Sequence, residues 1–177
     1  LVDGATRIVH YDLADLTQGD PGVCGGSVEV FVEPLLPPPT LLVIGAGHVG
    51  KALAELGKWL EFRVVVADDR PGMATPAQIP GMDGYVEGGV EALLAQVPIT
   101  GRTCVAAVTR GLPVDRDLLP ALLRTDAPYI GLIGSKRRWA LTVEALLADG
   151  VPREALARVH APIGLELGAE TPKEIAI

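Results

Sequence analysis

Apolar and polar residues follow two rhythms along most of this chain. Short, almost continuous apolar runs occupy residues 41–44, 63–67, 85–86, 103–108 and 129–133. Runs of this kind, bounded by turn-forming residues, are typical of strands buried on both faces. Segments with apolar residues at helical spacing follow them, at 48–60, 90–96, 116–123 and 135–148. In the first helical segment the spaced residues are Val49, Leu53, Leu56 and Leu60. Because strands and helices alternate, the pattern predicts an α/β fold with a Rossmann-like, doubly wound parallel sheet.

A different pattern precedes the proline run Pro37-Pro38-Pro39. Residues 6–11 and 27–33 are typical of two short strands, which a turn-rich segment separates. Three consecutive prolines favour an extended, stiff segment and cannot lie inside a helix or a central strand. Two strands alone would be marginally stable, so we expect the end of an N-terminal domain whose first part is missing from this chain. The predicted organisation is a β-rich remnant over 1–36, a proline-rich linker over 37–40 and a Rossmann-like domain over 41–177.

Composition and charge narrow the class of protein. Apolar residues make up 49% of the chain, which excludes disorder. The formal net charge of -7 gives no electrostatic support to nucleic-acid binding. We expect no membrane span, because no apolar run reaches the roughly 18 to 20 residues that a span requires. The first 20 residues are too charged for a signal peptide, and the chain has only two cysteines, so we expect a cytoplasmic protein.

The turn after residue 44 has the sequence Gly45-Ala46-Gly47-His48-Val49-Gly50. It follows a predicted strand and opens a predicted helix, the context in which the G-x-G-x-x-G pattern binds a phosphate group. The first glycine permits the tight turn, the second lets the backbone approach the ligand, and the third lets helix and strand pack closely. The helix start also favours an anion. His48 is a candidate donor or acid–base group. The alternatives are a local capping role for His48 and a purely structural role for the turn.

An acidic pair, Asp68-Asp69, follows the next apolar run, 18 and 19 residues beyond Gly50. Dinucleotide-binding enzymes place the carboxylate that binds the ribose at this point of the fold. Arg70 comes next and is a candidate contact for an additional phosphate. The alternative is a solvated turn at the end of a strand, since Asp-Arg-Pro is ordinary turn sequence.

Two further strand ends carry polar residues, Thr109-Arg110-Gly111 and Gly134-Ser135-Lys136. The carboxyl ends of the strands form the ligand crevice of an open α/β sheet, so we expect both segments on the side of the glycine turn. Their arginine, serine and lysine are donors suited to phosphate. Arg137 and Arg138 continue the basic cluster, and for Arg138 the favoured interpretation is solvated helix surface.

Cys24 lies in a glycine-rich turn and is a candidate thiolate nucleophile, metal ligand or sulfur acceptor, with a structural cysteine as the alternative. Cys104 lies in an apolar run and is expected in the core. No set of histidine, cysteine and carboxylate residues has zinc spacing. Near the end of the sequence, Thr171, Pro172 and Glu174 have the spacing of a helix start with a capping box.

Several segments of the chain form an ordered set. They are Cys-Gly-Gly-Ser-Val-Glu-Val at 24–30, Ile-Gly-Ala-Gly-His-Val-Gly at 44–50, Asp-Asp-Arg-Pro at 68–71, Thr-Arg-Gly at 109–111, Tyr-Ile-Gly-Leu-Ile-Gly-Ser-Lys-Arg at 129–137 and His-Ala-Pro-Ile-Gly-Leu-Glu-Leu-Gly-Ala-Glu-Thr-Pro at 160–172. Through this set the chain resembles the XdhC/CoxI family of molybdoenzyme maturation factors. It departs from the family pattern at Leu112-Pro113, where the family usually has a histidine after Thr-Arg-Gly.

The resemblance implies an accessory protein that binds molybdenum cofactor (molybdopterin), assists its sulfuration and inserts it into xanthine dehydrogenase or a related molybdenum hydroxylase. A maturation chaperone is therefore expected rather than an enzyme, with a cysteine desulfurase as a second partner. Cys24 would lie near the sulfur chemistry. We also expect a homodimer, because a truncated first domain needs surface cover. The candidate cofactor-binding residues are Cys24, Gly45, Gly47, His48, Val49, Gly50, Asp68, Asp69, Arg70, Thr109, Arg110, Gly134, Ser135 and Lys136.

Two other functions remain as alternatives. The first is an NAD(P)-dependent oxidoreductase, because the glycine turn is followed by Asp68 and Asp69, although no substrate domain is visible after residue 134. The second is a nucleotide-sensing regulatory module that binds nucleotide without turnover.

Overall fold

The computed structural model describes residues 5–12 and 26–177. The chain divides into two units, Leu1–Pro37 and Pro38–Ile177, and the division falls within the predicted linker. Cys24 lies outside the described residues, so its role stays a prediction.

The described part of the first unit is a pair of antiparallel strands, β1 (Arg7–Asp12) and β2 (Ser27–Val32). Their register pairs Arg7 with Val32 and Asp12 with Ser27. Both predicted strands are therefore confirmed. Ile8 and Phe31 are exposed on this pair, which agrees with the expectation that two strands alone bury too little apolar surface to be stable.

A parallel sheet forms the centre of the second unit. Its strands are β3 (Thr40–Ile44), β4 (Arg63–Asp68), β5 (Gly84–Glu87), β6 (Thr103–Ala107), β7 (Tyr129–Leu132) and β8 (Val159–His160). Their order in the sheet is β5-β4-β3-β6-β7-β8, and every neighbouring pair is parallel. The chain therefore runs outward from β3 to β5 and then returns to β6 on the other side of β3. The predicted doubly wound, Rossmann-like sheet is confirmed.

Helices follow most of these strands. They are α1 (His48–Trp59), α2 (Val90–Gln96), α3 (Leu112–Leu122), α4 (Lys136–Ala148), α5 (Arg153–Leu156) and α6 (Pro172–Ile175). None of the helices in the described ranges is both long enough and apolar enough to cross a membrane.

The core lies on both faces of the sheet. Leu42 packs into a large cluster on one face, together with Val105, Leu119 and Ile130. Its neighbour Val43 packs into a second cluster on the other face, which includes Ile79. Because successive side chains of a strand point to opposite faces, a strand covered on both sides must be apolar throughout. This explains the continuous apolar runs in the sequence.

Helix α1 lies close to the sheet because its buried face is built from small residues. Gly50, Ala54 and Gly57 are its buried positions, whereas Leu60, which the predicted helix included, is exposed. A Cβ atom on Gly57 would lie 2.6 Å from a methyl group of Leu41. The leucine spacing located the helix correctly, but the small residues bring its start against the end of β3.

The structure corrects the start of one helix and adds elements that the pattern did not predict. Helix α3 begins at Leu112 rather than at residue 116, with Pro113 in its first turn, where a proline nitrogen needs no hydrogen-bond partner. The short elements α5 and β8 were not predicted. The predicted capping box is confirmed, since the Thr171 hydroxyl accepts from the Glu174 N–H and the Glu174 carboxylate accepts from the Thr171 N–H.

Candidate functional site

A cleft of about 270 Å³ lies at the carboxyl ends of β3, β4 and β6, where the direction of the chain connections reverses. This is the position at which open α/β sheets bind ligands. Its floor is apolar and includes Ile44, Val108 and Leu118. Its polar rim consists of Asp68, Asp69, Arg70, Thr109, Arg110 and Asp117. The cleft therefore combines an apolar floor with charged groups at the strand ends.

The glycine turn forms one wall of the cleft, and each of its glycines has a separate physical reason. Gly45 has a φ of +115°, and a Cβ atom there would lie 2.5 Å from the Val108 carbonyl oxygen. A Cβ on Gly50 would overlap the Gly45 carbonyl oxygen. A Cβ on Gly47 would meet nothing within 4 Å. Gly45 and Gly50 are thus required by packing, whereas Gly47 leaves open space beside the cleft.

Helix α1 begins at this turn with Gly47 as its N-cap residue. Within the described residues, no side chain caps this helix start. The start of a helix presents backbone N–H groups and the positive end of the dipole, which together favour a bound anion. His48 and Val49 belong to the same turn, but His48 is exposed and neither is among the described residues that line the cleft.

Asp68 is buried at the end of β4, and its carboxylate accepts four hydrogen bonds. The donors are the Ala46 N–H at 2.7 Å, the Arg70 N–H and Nε at 2.9 Å, and the Arg70 Nη2 at 2.8 Å. Burial by itself would raise the pKa of this carboxyl, but the hydrogen bonds from Arg70 and Ala46 outweigh burial and lower the pKa to about 2. Asp68 therefore joins the glycine turn to the segment that follows β4.

Asp69 and Arg110 form a bidentate ion pair at the rim of the cleft. The second of the two hydrogen bonds, from Arg110 Nη2 to Asp69 Oδ2, measures 2.7 Å. Asp69 follows β4 and Arg110 follows β6, and β3 lies between these strands. The hydrogen bond from Arg110 lowers the pKa of Asp69. Both partners are partly exposed, so solvent and other anions have access to the pair.

A buried polar network holds Thr109 next to the cleft. Asp115 is fully buried at the start of α3 and accepts hydrogen bonds from Thr109 and from the Arg138 guanidinium, the latter at 2.7–2.9 Å. Arg138 also donates to the Thr109 carbonyl oxygen at 3.1 Å and to its hydroxyl at 2.7 Å. The interpretation of Arg138 as solvated helix surface was therefore wrong. Its side chain is only 21% exposed, because it neutralises a carboxylate buried between α3 and α4.

The segment Gly134-Ser135-Lys136 was expected beside the glycine turn, but the described lining of the cleft does not include it. The Ser135 hydroxyl caps α4 by accepting from the Arg138 N–H, and Lys136 pairs with Glu166 at 2.7 Å. A Cβ on Gly134 would lie 2.8 Å from the Arg138 side chain. β7 is separated from β3 by β6, which accounts for the distance of this strand end from the turn.

Some lining residues were not predicted. Gly88, Gly89 and Val90 reach the cleft from the end of β5 and the start of α2, and Val114 and Asp117 reach it from α3. The double glycine after an apolar run was an available signal for the first group. The second group depended on the start of α3, which the pattern placed too late. Among the described residues, no group of three or more histidine, cysteine, aspartate and glutamate side chains could hold a metal ion.

Comparisons with known proteins agree with this architecture. A family model described as the XdhC Rossmann domain matches residues 41–177. Over 155 residues the chain is 35% identical to the uncharacterized protein YqeB of Escherichia coli K12, in an alignment that covers 87% of the chain and 28% of YqeB. Over 151 residues it is 29% identical to a Bacillus subtilis 168 protein named as one of the probable xanthine dehydrogenase subunits. That alignment covers 85% of the chain and 44% of the Bacillus protein.

A crystal structure of a xanthine dehydrogenase from Bacillus halodurans superposes on the chain with a TM-score of 0.67 and 27% identity. The superposition covers 85% of this chain and 42% of that structure. The chain thus spans less than half the length of each of these three proteins.

Proposed function

Since this chain belongs to the XdhC family, whose Rossmann domain occupies residues 41–177, we propose that it binds molybdenum cofactor and assists its sulfuration and insertion into a molybdenum hydroxylase. The cofactor is the cargo of this protein. The family is one of xanthine dehydrogenase accessory proteins, and two of the similar proteins carry xanthine dehydrogenase in their names. These names support xanthine dehydrogenase as the client.

One observation carries the proposal for the binding site: the open space at Gly47, beside the start of α1. Molybdopterin carries a phosphate group, and a phosphate can approach a helix start closely only where no side chain intervenes. The apolar floor formed by Ile44, Val108 and Leu118 offers a surface on which the flat pterin rings could lie. The phosphate and the rings would thus be bound by different walls of the same cleft.

Arg110 is the side chain that we propose as the main cation for the phosphate. It is exposed at the rim, and its guanidinium forms a planar fork that suits phosphate as well as carboxylate. In the structure Asp69 occupies this fork. Because an exposed ion pair contributes little stability, exchanging Asp69 for a phosphate costs little. Asp69 would then hold Arg110 in position until the cargo arrives.

Cys24, a cysteine desulfurase partner and a homodimer belong to the same proposal. Cys24 would receive or protect sulfur near the cofactor, as the resemblance implies. Substituting Cys24 by alanine is expected to impair handling of sulfurated cofactor more than folding. Unchanged cofactor retention and unchanged client activation in this variant would remove Cys24 from the mechanism.

The test of the proposal is cofactor retention. The protein, with its complete natural sequence, is expressed in cells that make molybdenum cofactor, purified, and assayed for molybdenum and for released pterin. We expect near-stoichiometric pterin in the wild type and a loss of about tenfold in Arg110→Ala, because a charge-assisted bidentate contact is removed. Arg137→Ala is the matched control, since Arg137 is exposed and lies outside the cleft. It should retain as much pterin as the wild type.

The same assay separates the alternative functions. Absence of pterin, together with a clear rise in thermal midpoint on addition of NAD(H) or NADP(H), would support an NAD(P)-dependent oxidoreductase instead. Asp69→Asn provides a second check, because it removes the carboxylate that competes for Arg110. If the exchange of partners is correct, this variant should bind pterin at least as tightly as the wild type. Weaker binding would show that Asp69 serves the ligand directly.

A further inference from the structure

The carboxylate of Asp68 occupies the position from which Rossmann enzymes bind the ribose of a dinucleotide. It ends β4, the strand beside β3, and it lies 18 residues beyond the last glycine of the turn. In a dinucleotide site this carboxylate must offer free lone pairs to the ribose hydroxyls. Whether Asp68 can do so depends on which hydrogen bonds it already accepts.

Its capacity is already used. An ionised carboxylate has about four lone-pair positions, and Asp68 accepts four hydrogen bonds, two on each oxygen. Three of them come from Arg70 and one from the Ala46 N–H. The side chain of Asp68 is only 2% exposed, so a ligand would have to displace a donor to reach it.

Arg70 is held in this position by its own backbone as well as by its side chain. Its N–H donates to Asp68 Oδ1 at 2.9 Å, and Nε and Nη2 donate to the two different oxygens. This fork is the strong, geometrically specific mode of arginine–carboxylate pairing. It differs from the Asp69–Arg110 pair in that its carboxylate is buried, so exchange with a solvent-borne ligand is costly.

We infer that Arg70 is a specificity-determining residue, which masks the ribose-binding carboxylate and excludes NAD(H)-type ribose recognition from this cleft. The cleft then selects a phosphorylated ligand that makes no diol contact with Asp68. The inference rests on the proposed function, because it concerns the same cleft, and it narrows the cargo. A pterin phosphate satisfies this condition without any nucleoside at Asp68.

The experiment compares ADP with 2′,3′-dideoxy-ADP, which differ only in the hydroxyls that Asp68 would bind. Dissociation constants are measured by calorimetry for the wild type, Arg70→Ala, Arg70→Lys and the control Arg137→Ala. We expect the wild type and the control to bind both nucleotides equally, or to bind neither. Arg70→Ala frees the carboxylate and should prefer ADP by about tenfold, the effect of a hydrogen bond to a charged group. Arg70→Lys keeps a positive charge beside Asp68, so it covers the case in which the alanine variant does not fold.

Three results would overturn the inference. One is a wild-type preference for ADP of tenfold or more. Another is the absence of any gained preference in a folded Arg70 variant. The third is tighter binding of 2′-phospho-ADP-ribose than of ADP by the wild type with loss of that advantage in Arg70→Ala, which would make Arg70 a phosphate ligand. None of these measurements involves molybdopterin, so failure of the proposed function in the retention assay is distinguishable from failure here.

Discussion

At the scale of single residues, Asp68 links the stability of the fold to acidic pH. Its pKa is about 2 in the folded protein against an ordinary value of 3.8, so its stabilising contribution is complete above pH 5 and is lost as the pH falls toward 2. The shift corresponds to roughly 2 kcal/mol, of which about 1 kcal/mol disappears between pH 5 and pH 3. Urea unfolding of the wild type and of Asp68→Asn at these two pH values measures it. The variant should be less stable at pH 5 and should lose about 1 kcal/mol less on acidification, and equal losses would contradict the assignment.

The arginines show how much of a residue's role depends on its partner. Arg70, Arg110 and Arg138 were recognisable in the sequence as cations near predicted strand ends. The structure gives them three different environments: a buried carboxylate beside the turn, an exposed carboxylate across the rim, and a buried carboxylate between two helices. Composition reports the charge of a residue, but only the neighbouring elements determine whether that charge is available to a ligand.

At the scale of elements, the turn before α1 provides a matched pair of substitutions. Gly47→Ala should leave the thermal midpoint unchanged or slightly higher, since Gly47 has an ordinary φ of -74° and its Cβ would meet nothing within 4 Å. It should nevertheless weaken retention of a phosphorylated ligand, because the new methyl group enters the open space beside the cleft. Gly50→Ala should lower the midpoint sharply, since its Cβ would overlap the Gly45 carbonyl. Thermal denaturation and pterin retention of both variants test this, and similar midpoints would contradict it.

The packing of α3 against α4 supplies a second prediction at this scale. Arg138→Ala leaves the fully buried carboxylate of Asp115 without a countercharge and should cost about 3–5 kcal/mol of unfolding free energy. Arg137→Ala, one residue earlier on the exposed face of α4, should change it by no more than about 0.5 kcal/mol. Urea denaturation of both variants gives the comparison. If they unfold at the same denaturant concentration, the network around Thr109 does not stabilise the loop that carries Arg110.

The elements themselves were largely predictable. Strands β3, β4, β6 and β7 were located within one or two residues of their ends, because each is apolar on both faces. The start of α3 was placed too late, since Leu112 and Pro113 look like loop residues when the buried role of Asp115 is not known. The strand β8 has only two residues, too few for any periodicity to be visible.

At the scale of the whole molecule, the division of the chain between Pro37 and Pro38 predicts independent folding of the larger unit. A fragment of residues 38–177 contains the complete six-stranded sheet and both core clusters, so it should unfold in one cooperative transition. A fragment of residues 1–37 has only a two-stranded sheet and should show no such transition. Circular dichroism during heating measures both. A larger fragment without cooperative unfolding would show that the first unit is needed for its stability.

Local periodicity was sufficient to establish the class of fold, the order of strands and helices, and the position of the glycine turn. The reason is that each strand and helix records in its own sequence which faces are buried. The candidate site was less accessible, because its contacts join residues far apart in the chain, such as Asp69 with Arg110 and Asp115 with Arg138. Strand order decides which of these ends become neighbours, and it excluded Ser135 and Lys136 from the cleft. The occupation of Asp68 by Arg70 and Ala46 likewise became visible only when β3 and β4 were side by side.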